Sequence, residues 1–402
     1  MAKGIRKSRR GDEPAPAALG ELIHAQVRVA IETAVHEELR RALGAGRYER
    51  QAARCGYRNG VKTRTLTGPA GPMALTLPRA TLARADGAQE WASALVPRYQ
   101  RRLREVNEAV VGTYLAGGNQ RRIRGALQPL LKAAPLSKSA ISRIIATLKD
   151  GWTAWSSRAL TDVELGYLYL DAVCLRVRQA GKVTSVPVLT AVAVRADGGK
   201  ELLALELCGS ESAEAWKGFV DDLKARGLRA PLLAVIDGNP GLRQALGRTW
   251  PTTAVQRCCV HKLRNLERKA PKHALDDLRE DFHRIVYAAS AEAGRTAYST
   301  FERKWAKRCP GVVRSLADGG AELLTFFTFP KAQWKTLRTT NVIERLNEEF
   351  RRRVKTQGAL PTEDAAVILL FSLVVSGQIT LRKIDGHAAM AAVISKRLRP
   401  AA

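Results

Sequence analysis

The sequence has few cysteines and no long apolar run, which excludes several protein classes. Six cysteines in 402 residues, two of them adjacent at Cys258 and Cys259, do not form a disulfide framework, so we expect reduced thiols. The longest apolar run, residues 365–375, is far shorter than the roughly 20 residues of a membrane-spanning helix and predicts a buried core helix. The N-terminal residues 1–20 are basic but lack the apolar stretch of a signal peptide, which predicts a disordered tail and a cytoplasmic protein.

Acidic residues are also scarce relative to basic ones. The chain has 66 Lys and Arg against 38 Asp and Glu, a formal net charge of +28. Such an excess predicts a strong, salt-sensitive attraction to a polyanion, with nucleic acid as the leading partner. The basic residues are spread along the whole chain and do not form one amphipathic cluster, which argues against a membrane surface as the partner.

The first part of the chain alternates between helical and strand patterns. Apolar residues from Leu22 to Leu43 recur at helical spacing and stop at Gly44, which predicts a first helix. Between residues 55 and 80, Asn59-Gly60 and a Gly/Pro cluster are flanked by strand formers, which predicts short paired strands whose basic side chains could contact phosphates. We therefore predict a helix and β-hairpin region over residues 21–97.

Residues 98–160 predict a helix-turn-helix domain. The segment "LSKSAISRIIATL" at 136–148 opens with a serine N-cap and continues with apolar residues on one face, as the second helix of that motif does. A plain pair of packed helices satisfies the same periodicity. In the helix-turn-helix interpretation, the residues facing DNA are Ser137, Lys138, Ser139, Ser142 and Arg143.

The pattern changes to strands at residue 166. Three successive strand-like runs predict an antiparallel meander, and the later runs "PLLAVID" and "TAVQRC", each preceded by a helical stretch, predict parallel strands. The chain is again helical and charged from about residue 262 to 335. The expected fold class is therefore α/β, with a mixed sheet preceded by a mainly helical N-terminal DNA-binding region.

Two aspartates occupy unusual positions on the predicted strands. Asp171 lies inside the first strand of the meander, where an unpaired carboxylate is unfavourable, and Asp237 ends the "LLAVID" strand, where ligand sites of open α/β sheets collect. With a glutamate from a later helix they would form a three-carboxylate cluster suited to two Mg²⁺ or Mn²⁺ ions. Each aspartate alone is also consistent with a capping or turn residue.

The stretch "RTTNVIERLNEEFRRR" at 338–353 places acids among arginines on one predicted helix. A solvated helix with ion pairs such as Glu348 with Arg352 explains the pattern by itself. The alternative is that one of the glutamates on this helix, Glu344, Glu348 or Glu349, belongs to the three-carboxylate cluster. The arginines would then be phosphate contacts.

Several segments occur in the order and approximate spacing of the mutator-type transposases of bacterial insertion sequences, and the chain resembles that family from about residue 40 to 380. They are "YLYLDAVCLRVR", "GSESAEAWKGFVDDLKARGL", "DGNPGLRQAL", "QRCCVHKLRNL" and "LRTTNVIERLNEEFRRR". The resemblance implies an RNase H-like catalytic domain with a DDE triad, interrupted by a helical insertion before the helix that carries the glutamate. Carried over by motif, the catalytic and metal-binding triad is Asp171, Asp237 and Glu344.

The same resemblance implies limits for the later domains and roles for further residues. The catalytic domain would span residues 161–265 and 336–402, with the insertion at 266–335. The family's Cys-x-x-His pattern falls on Cys258 and His261, for which we favour a structural or positioning role over zinc binding because no second ligand pair is nearby. Cys259 and Asn239 depart from the family's usual residues. Asn341 and Trp334 are further positioning candidates, and the DNA contacts would include Arg264, Arg345, Arg351 and Arg352.

These observations predict a DNA transposase that binds terminal inverted repeats and catalyses metal-dependent 3′-end cleavage and strand transfer to target DNA. Because two ends must be paired, a homodimer or higher oligomer is expected. Two other functions stay open at this point. One is a non-catalytic DNA-binding regulator derived from a transposase, and the other is a nuclease without strand transfer.

Overall fold

The computed structural model describes residues 19–131, 136–179 and 181–398. The chain divides into two units: one comprises Met1–Tyr114 and Asn119–Ile145, and the other comprises Leu115–Gly118 and Ala146–Ala402. Residues 1–18 of the predicted basic tail lie outside the described residues. Within the described ranges, no helix is both long and apolar enough to cross a membrane.

The first unit contains a three-stranded antiparallel sheet as well as helices. Its elements, in chain order, are α1 (Leu19–Leu43), β1 (Gly56–Gly68), β2 (Gly71–Arg84), β3 (Gly87–Glu90), α2 (Arg104–Leu115), α3 (Gln120–Leu131) and the first turns of α4 (Lys138–Ser156). The last part of α1 packs on the sheet through Val35, Leu39 and Leu43. The earlier apolar residues of α1, such as Leu22 and Ile23, are exposed.

The β-hairpin is longer than the predicted short strands, and of its two turn signals the Gly/Pro cluster forms the turn. β1 and β2 are long strands that join at Gly68–Gly71, and Asn59-Gly60 lies inside β1, not at its end. The register of the pair shifts between Arg58 and Val61, where Gly60 has φ +76°. Glycine adopts this left-handed conformation readily, so the Asn-Gly pair forms a β-bulge here instead of a hairpin turn.

The second unit is built on a five-stranded mixed sheet, as predicted. Its strands are β4 (Leu165–Gln179), β5 (Lys182–Arg195), β6 (Lys200–Leu207), β7 (Leu233–Ile236) and β8 (Ala254–Arg257). The sheet order is β6-β5-β4-β7-β8, in which β4, β5 and β6 are antiparallel neighbours and β7 and β8 run parallel to β4. The predicted meander and the two predicted parallel strands are therefore both present.

Helices cover both faces of this sheet. They are α5 (Ala213–Ala225), α6 (Pro240–Thr249), α7 (Cys259–Glu267), α8 (Leu275–Val286), α9 (Ala291–Arg308), α10 (Pro310–Gly319), α11 (Trp334–Leu337), α12 (Asn341–Lys355), α13 (Glu363–Val375) and α14 (Met390–Leu398). α5 and α6 pack on the face that carries Leu168 and Leu170. On the opposite face, Tyr167 donates to Gln333 Oε1 (2.6 Å) and Tyr169 donates to Thr336 O (3.2 Å). The apolar run 365–375 lies in α13, whose residues are largely buried, as a core helix requires.

An ion-pair network, which we call the insertion network, joins α10 and the turn after it to α6, α7 and the end of β8. Arg257, at the end of β8, is buried and contacts Asp318 (3.0 Å) and Glu322 (3.1 Å). Glu322 also pairs with Arg243 of α6 (2.5 Å), and Asp318 pairs with the buried Lys262 of α7 (3.2 Å). Every carboxylate in this network therefore has two cationic partners.

Candidate active site

Strand register brings Asp171 and Asp237 to the same place on the sheet. β4 and β7 are parallel and pair as far as Leu170 with Ile236, and each aspartate is the next residue on its strand. Side chains alternate between the two faces of a strand, so Asp171 shares the face of Tyr167 and Tyr169. That face is the one covered by α11 and α12, and it is where the two carboxylates meet.

The turn after β7 holds Asp237 in position. Its Oδ1 accepts a hydrogen bond from the backbone N–H of Asn239 (2.9 Å), and Asn239 in turn caps α6 by accepting from Leu242 N (3.1 Å). Gly238 between them has φ +106°, a backbone conformation that residues with a side chain rarely adopt. The Asp237-Gly238 pair therefore forms a turn, and this turn fixes the aspartate at the end of the strand.

Glu344 lies in the first turn of α12, among polar groups of α7 and of the segment before α12. Its Oε1 is 3.4 Å from His261 Nε2, 3.5 Å from the Thr340 hydroxyl and 4.0 Å from Arg264 Nη1. The same Thr340 hydroxyl is 3.3 Å from the buried Sγ of Cys258. The Cys-x-x-His motif thus contacts the glutamate through His261 and Thr340, an arrangement that suits a positioning role.

Asn347 is a site residue that the sequence analysis missed. It lies three residues after Glu344, on the same face of α12, and is only 1% exposed. Its Nδ2 donates a hydrogen bond to Asp171 Oδ2 (2.9 Å), while its Oδ1 has no partner among the described residues. The i, i+3 spacing from Glu344 was the available signal. Asn341, the asparagine chosen from sequence, is exposed instead.

The carboxylates at this site shift the pKa values of the groups around them. Burial and the charge of Asp237 raise the pKa of Asp171 to about 7. Contact with Cys258, together with the charges of Asp171 and Glu344, raises the pKa of His261 to about 9, although burial opposes that shift. Burial alone would raise the pKa of Cys258, but the neighbouring His261 lowers it below its ordinary value. The negative charge of Asp171 is thus incompletely compensated by the protein.

The donor set is suited to a hard divalent cation, although the ligands are not all assembled. Carboxylate oxygens are what Mg²⁺ and Mn²⁺ prefer, and a cation would stabilise the Asp171 carboxylate against the burial and the Asp237 charge that raise its pKa. Within the described part of the chain, no three His, Cys, Asp or Glu side chains are grouped closely enough to hold a metal. Asp171 and Asp237 lie together, whereas Glu344 is engaged by Thr340 and His261.

The predicted phosphate-binding arginines of this unit are on the surface. Arg264, Arg345, Arg351 and Arg352 are all exposed. Arg352 pairs with Glu349 (2.5 Å), so the prediction that it pairs with Glu348 is wrong. Because the i, i+3 and i, i+4 positions both lie beside Arg352 on the helix surface, spacing did not decide between the two glutamates.

Trp334 is half-buried and packs against neighbouring aromatic residues. Its Nε1 donates to Phe329 O (2.8 Å), and its ring meets Phe326 and Phe327 edge-on. Trp305, in α9, is fully buried and donates to Asp281 Oδ2 (2.9 Å). Both tryptophans therefore stabilise the helices around the sheet in this structure.

In the first unit, α3 and α4 have the burial pattern expected of two packed helices. Ile123, Leu127 and Leu131 of α3 are buried, as are Ile141 and Ile144 of α4. Ser137 caps α4 by accepting a hydrogen bond from Ala140 N (3.1 Å). The predicted DNA-facing residues all lie on the exposed face and are Ser137, Lys138, Ser139, Ser142 and Arg143.

Comparison with known proteins gives a consistent family. Residues 5–380 match the family model described as Transposase, Mutator family. The chain is 34% identical over 349 residues to a transposase for insertion sequence element ISRM5 of Rhizobium meliloti, covering 87% of this chain and 86% of that protein. It is 32% identical over 335 residues to the transposase for IS1081 of Mycobacterium tuberculosis, covering 83% and 79%. A Staphylococcus aureus transposase for IS256 in transposon Tn4001 is 29% identical over 328 residues, covering 80% and 81%.

Proposed function

The chain belongs to the Mutator family of transposases, and from that premise we propose that it cleaves the 3′ ends of an insertion sequence and joins them to target DNA. The observation that supports this proposal most is the meeting of Asp171 and Asp237 at adjacent parallel strand ends. The helix that carries Glu344 is tied to the same place through Asn347. We propose that this mixed sheet is an RNase H-like domain and that the three acids are its catalytic triad.

We propose that Asp171, Asp237 and Glu344 hold two Mg²⁺ or Mn²⁺ ions. Such ions activate the attacking water or 3′-hydroxyl and stabilise the leaving oxygen. The protein's own contribution is positional: the turn at Gly238 presents Asp237, and Asn347 orients Asp171. Thr340 and His261 hold the Glu344 carboxylate, so this carboxylate would have to exchange those contacts for the metal.

The basic residues have complementary roles in this proposal. Arg264, Arg345, Arg351 and Arg352 would contact the phosphates of the DNA end, which an acidic site otherwise repels. Residues 21–97 and the helix-turn-helix region 98–160 would bind the terminal inverted repeats. Residues 161–265 and 336–402 would carry catalysis, with the insertion 266–335 between them. The protein would act in the cytoplasm on nucleoid DNA, as a homodimer or higher oligomer that pairs two ends.

Substitution of each acid tests the proposed chemistry. The substrate is a DNA duplex that carries one terminal inverted repeat, taken from the DNA that flanks the gene. The reaction also contains a supercoiled target plasmid and Mg²⁺. We expect Asp171→Asn, Asp237→Asn and Glu344→Gln to remove both nicked and joined products. Glu348→Gln, a glutamate on the same helix, is the matched control and should retain both.

The products distinguish the alternatives. Retention of cleavage by any of the three variants would contradict the triad assignment. Nicked but never joined products from the wild-type protein would indicate a nuclease without strand transfer. Specific binding to the ends without any cleavage would indicate a DNA-binding regulator.

A further inference from the structure

The first unit has a basic cleft beside the start of α4. The cleft has a volume of about 520 Å³, and its lining includes Thr67 of β1, the segment 98–102 and Leu136. Leu136 directly precedes Ser137, the N-cap of α4. The cleft therefore opens next to the residues that the sequence predicts to face DNA.

The segment that carries most of the cleft's charge is held rigidly. Thr67 N donates to Arg101 O (3.0 Å), and Leu103 N donates to Thr67 O (2.9 Å), so residues 101–103 run alongside the end of β1. The guanidinium of Arg64 binds the carbonyl oxygens of Pro97 (3.0 Å) and Gln100 (2.8 Å). The backbone of this segment is thus fixed, which lowers the entropy cost of binding a ligand there.

Positive charge in the cleft exceeds what the protein neutralises. Four arginines and no acidic residue line it, and Arg98 is the only one of the four that forms an ion pair, with Glu90, among the described residues. Arg101 is exposed and Arg102 is half-buried. Burial and the charges of Arg143 and Arg101 lower the pKa of Arg102, which shows that these cations repel one another. A polyanion would relieve that repulsion.

The remaining lining groups suit a nucleic-acid backbone. Tyr99 is 87% exposed, so its hydroxyl is free to reach a ligand, and Thr65 adds a second hydroxyl. Hydroxyls and guanidinium groups are common partners of phosphate oxygens, and such contacts set the register of a protein on the duplex without reading its sequence. Arg143 of α4 is close enough to Arg102 to lower its pKa, so its positive charge adds to that of the cleft.

We propose that this cleft, through Arg101, Arg102 and Tyr99, binds the phosphate backbone of duplex DNA next to the groove that the N-terminal turns of α4 enter. The inference rests on the proposed function, in which α3 and α4 bind the terminal repeats. In this arrangement α4 reads the base pairs and the cleft fixes the position of the duplex. Loss of the cleft's charges weakens binding to every sequence equally.

Fluorescence anisotropy on the full-length chain tests the proposal. The probes are fluorescein-labelled duplexes tiled across the DNA flanking the gene, and a shuffled duplex of the same length and composition, each titrated over a range of NaCl concentrations. The cleft variant is Arg101→Gln with Arg102→Gln. The charge-matched control is Arg295→Gln with Arg314→Gln, two exposed arginines of the insertion 266–335, to which no DNA contact is assigned.

The cleft variant should bind both the best tile and the shuffled duplex about tenfold more weakly, and its slope of log K against log salt should fall by about 1.8, because two phosphate contacts are lost. Arg101→Lys with Arg102→Lys should restore most of the slope, which a merely structural role would not predict. A slope for the cleft variant equal to that of the control would overturn the proposal.

A recognition-helix variant separates this inference from the proposed function. Ser142→Ala with Arg143→Gln should reduce discrimination between the best tile and the shuffled duplex. If the wild-type protein bound no tile better than the shuffled duplex, binding to terminal repeats would be refuted. The slopes on the shuffled duplex would still decide whether the cleft contacts DNA phosphates.

Discussion

Two groups of carboxylates in the second unit differ in how their charge is compensated. In the insertion network, Asp318 and Glu322 each contact two cationic side chains, and Arg257 and Lys262 are buried among them. At the candidate active site, Asp171 lies beside a second aspartate, and its pKa rises to about 7 because of burial and that neighbour. The charges of the first group are compensated by cations within the protein, whereas the charge of Asp171 is not fully compensated.

The difference separates structural charges from functional ones. A matched network satisfies each buried group, so it can join two parts of the chain without any ligand. Asp171 is instead held at an unfavourable position by its strand and by Asn347, while the turn at Gly238 holds Asp237 beside it. Unfavourable, well-ordered charges of this kind are typical of sites that bind a ligand or perform catalysis.

The sharpest test of the comparison is Asp171→Asn. We expect DNA cleavage to fall roughly a thousandfold, because a metal ligand worth several kcal/mol in the transition state is lost. In metal-free buffer, however, the variant should be at least as stable as the wild type, because a carboxylate that is disfavoured in the folded state has been removed.

The stability difference should depend on pH in a defined direction. Because the folded-state pKa of Asp171 is raised from 3.8 to about 7, its charge destabilises the fold fully above about pH 7 and not at all below the ordinary pKa. Urea unfolding of both proteins at about pH 8 and about pH 4 measures this. A variant less stable than the wild type at the higher pH would show that the aspartate is matched after all.

Arg257→Met tests the matched group. We expect the free energy of unfolding to fall by about 2–4 kcal/mol, because the substitution removes a buried cation and its two charged hydrogen bonds. Chemical denaturation measures the change. Arg264→Met, an exposed arginine of α7, is the control and should change stability by less than about 0.5 kcal/mol. Equal effects of the two substitutions would contradict a structural role for the network.

Asn347→Leu tests whether the aspartates depend on their scaffold. The substitution keeps a similar volume but removes the hydrogen bond to Asp171, so we expect cleavage to fall about tenfold, a loss of about 1.4 kcal/mol. A higher Mn²⁺ concentration for half-maximal activity would indicate that Asp171 is less well oriented. Asn341→Leu, on the exposed side of the same helix, should leave both quantities unchanged.

The smallest effect is expected at the surface of α12. Glu349→Gln removes the ion pair with Arg352, whose side chains are both partly exposed, and should change the free energy of unfolding by about 0.3–0.5 kcal/mol. Thermal unfolding at low and high NaCl concentration measures it, since salt should remove the difference. A change above about 1 kcal/mol would show that this pair is not an ordinary surface ion pair.

Most of the fold could be predicted from local patterns. Alternating and continuous β-formers predicted β4–β8, and helical periodicity predicted α1, which ends at Leu43 as expected. Of the two turn signals in the predicted hairpin, the Gly/Pro cluster forms the turn and Asn59-Gly60 forms a bulge, because an Asn-Gly pair suits either and only pairing with β2 distinguishes them. In the same way, helical spacing could not tell which apolar residues of α1 are buried.

The site residues that could be predicted are those whose position on a strand is unusual in the sequence itself. Asp171 within a strand and Asp237 at a strand end are anomalous in the sequence itself. Asn347 was missed because its role depends on the way α12 packs against β4, and a buried asparagine at helical spacing has no signature until its partner is known. The basic cleft was missed for the same reason, since it combines residues of β1, the segment 98–102 and Leu136.

The sequence by itself determined the excess of positive charge, the order of helices and strands, and the position of each aspartate on its predicted strand, because composition and periodicity are properties of the chain alone. Only the tertiary structure decided which charges are matched. It gave Arg257 and Lys262 acidic partners far away in sequence, placed Asp171 beside Asp237, and left Arg101 and Arg102 without acidic partners among the described residues. The physical reason is that compensation of charge depends on distance and burial, and both are set by packing between segments that the chain itself does not place together.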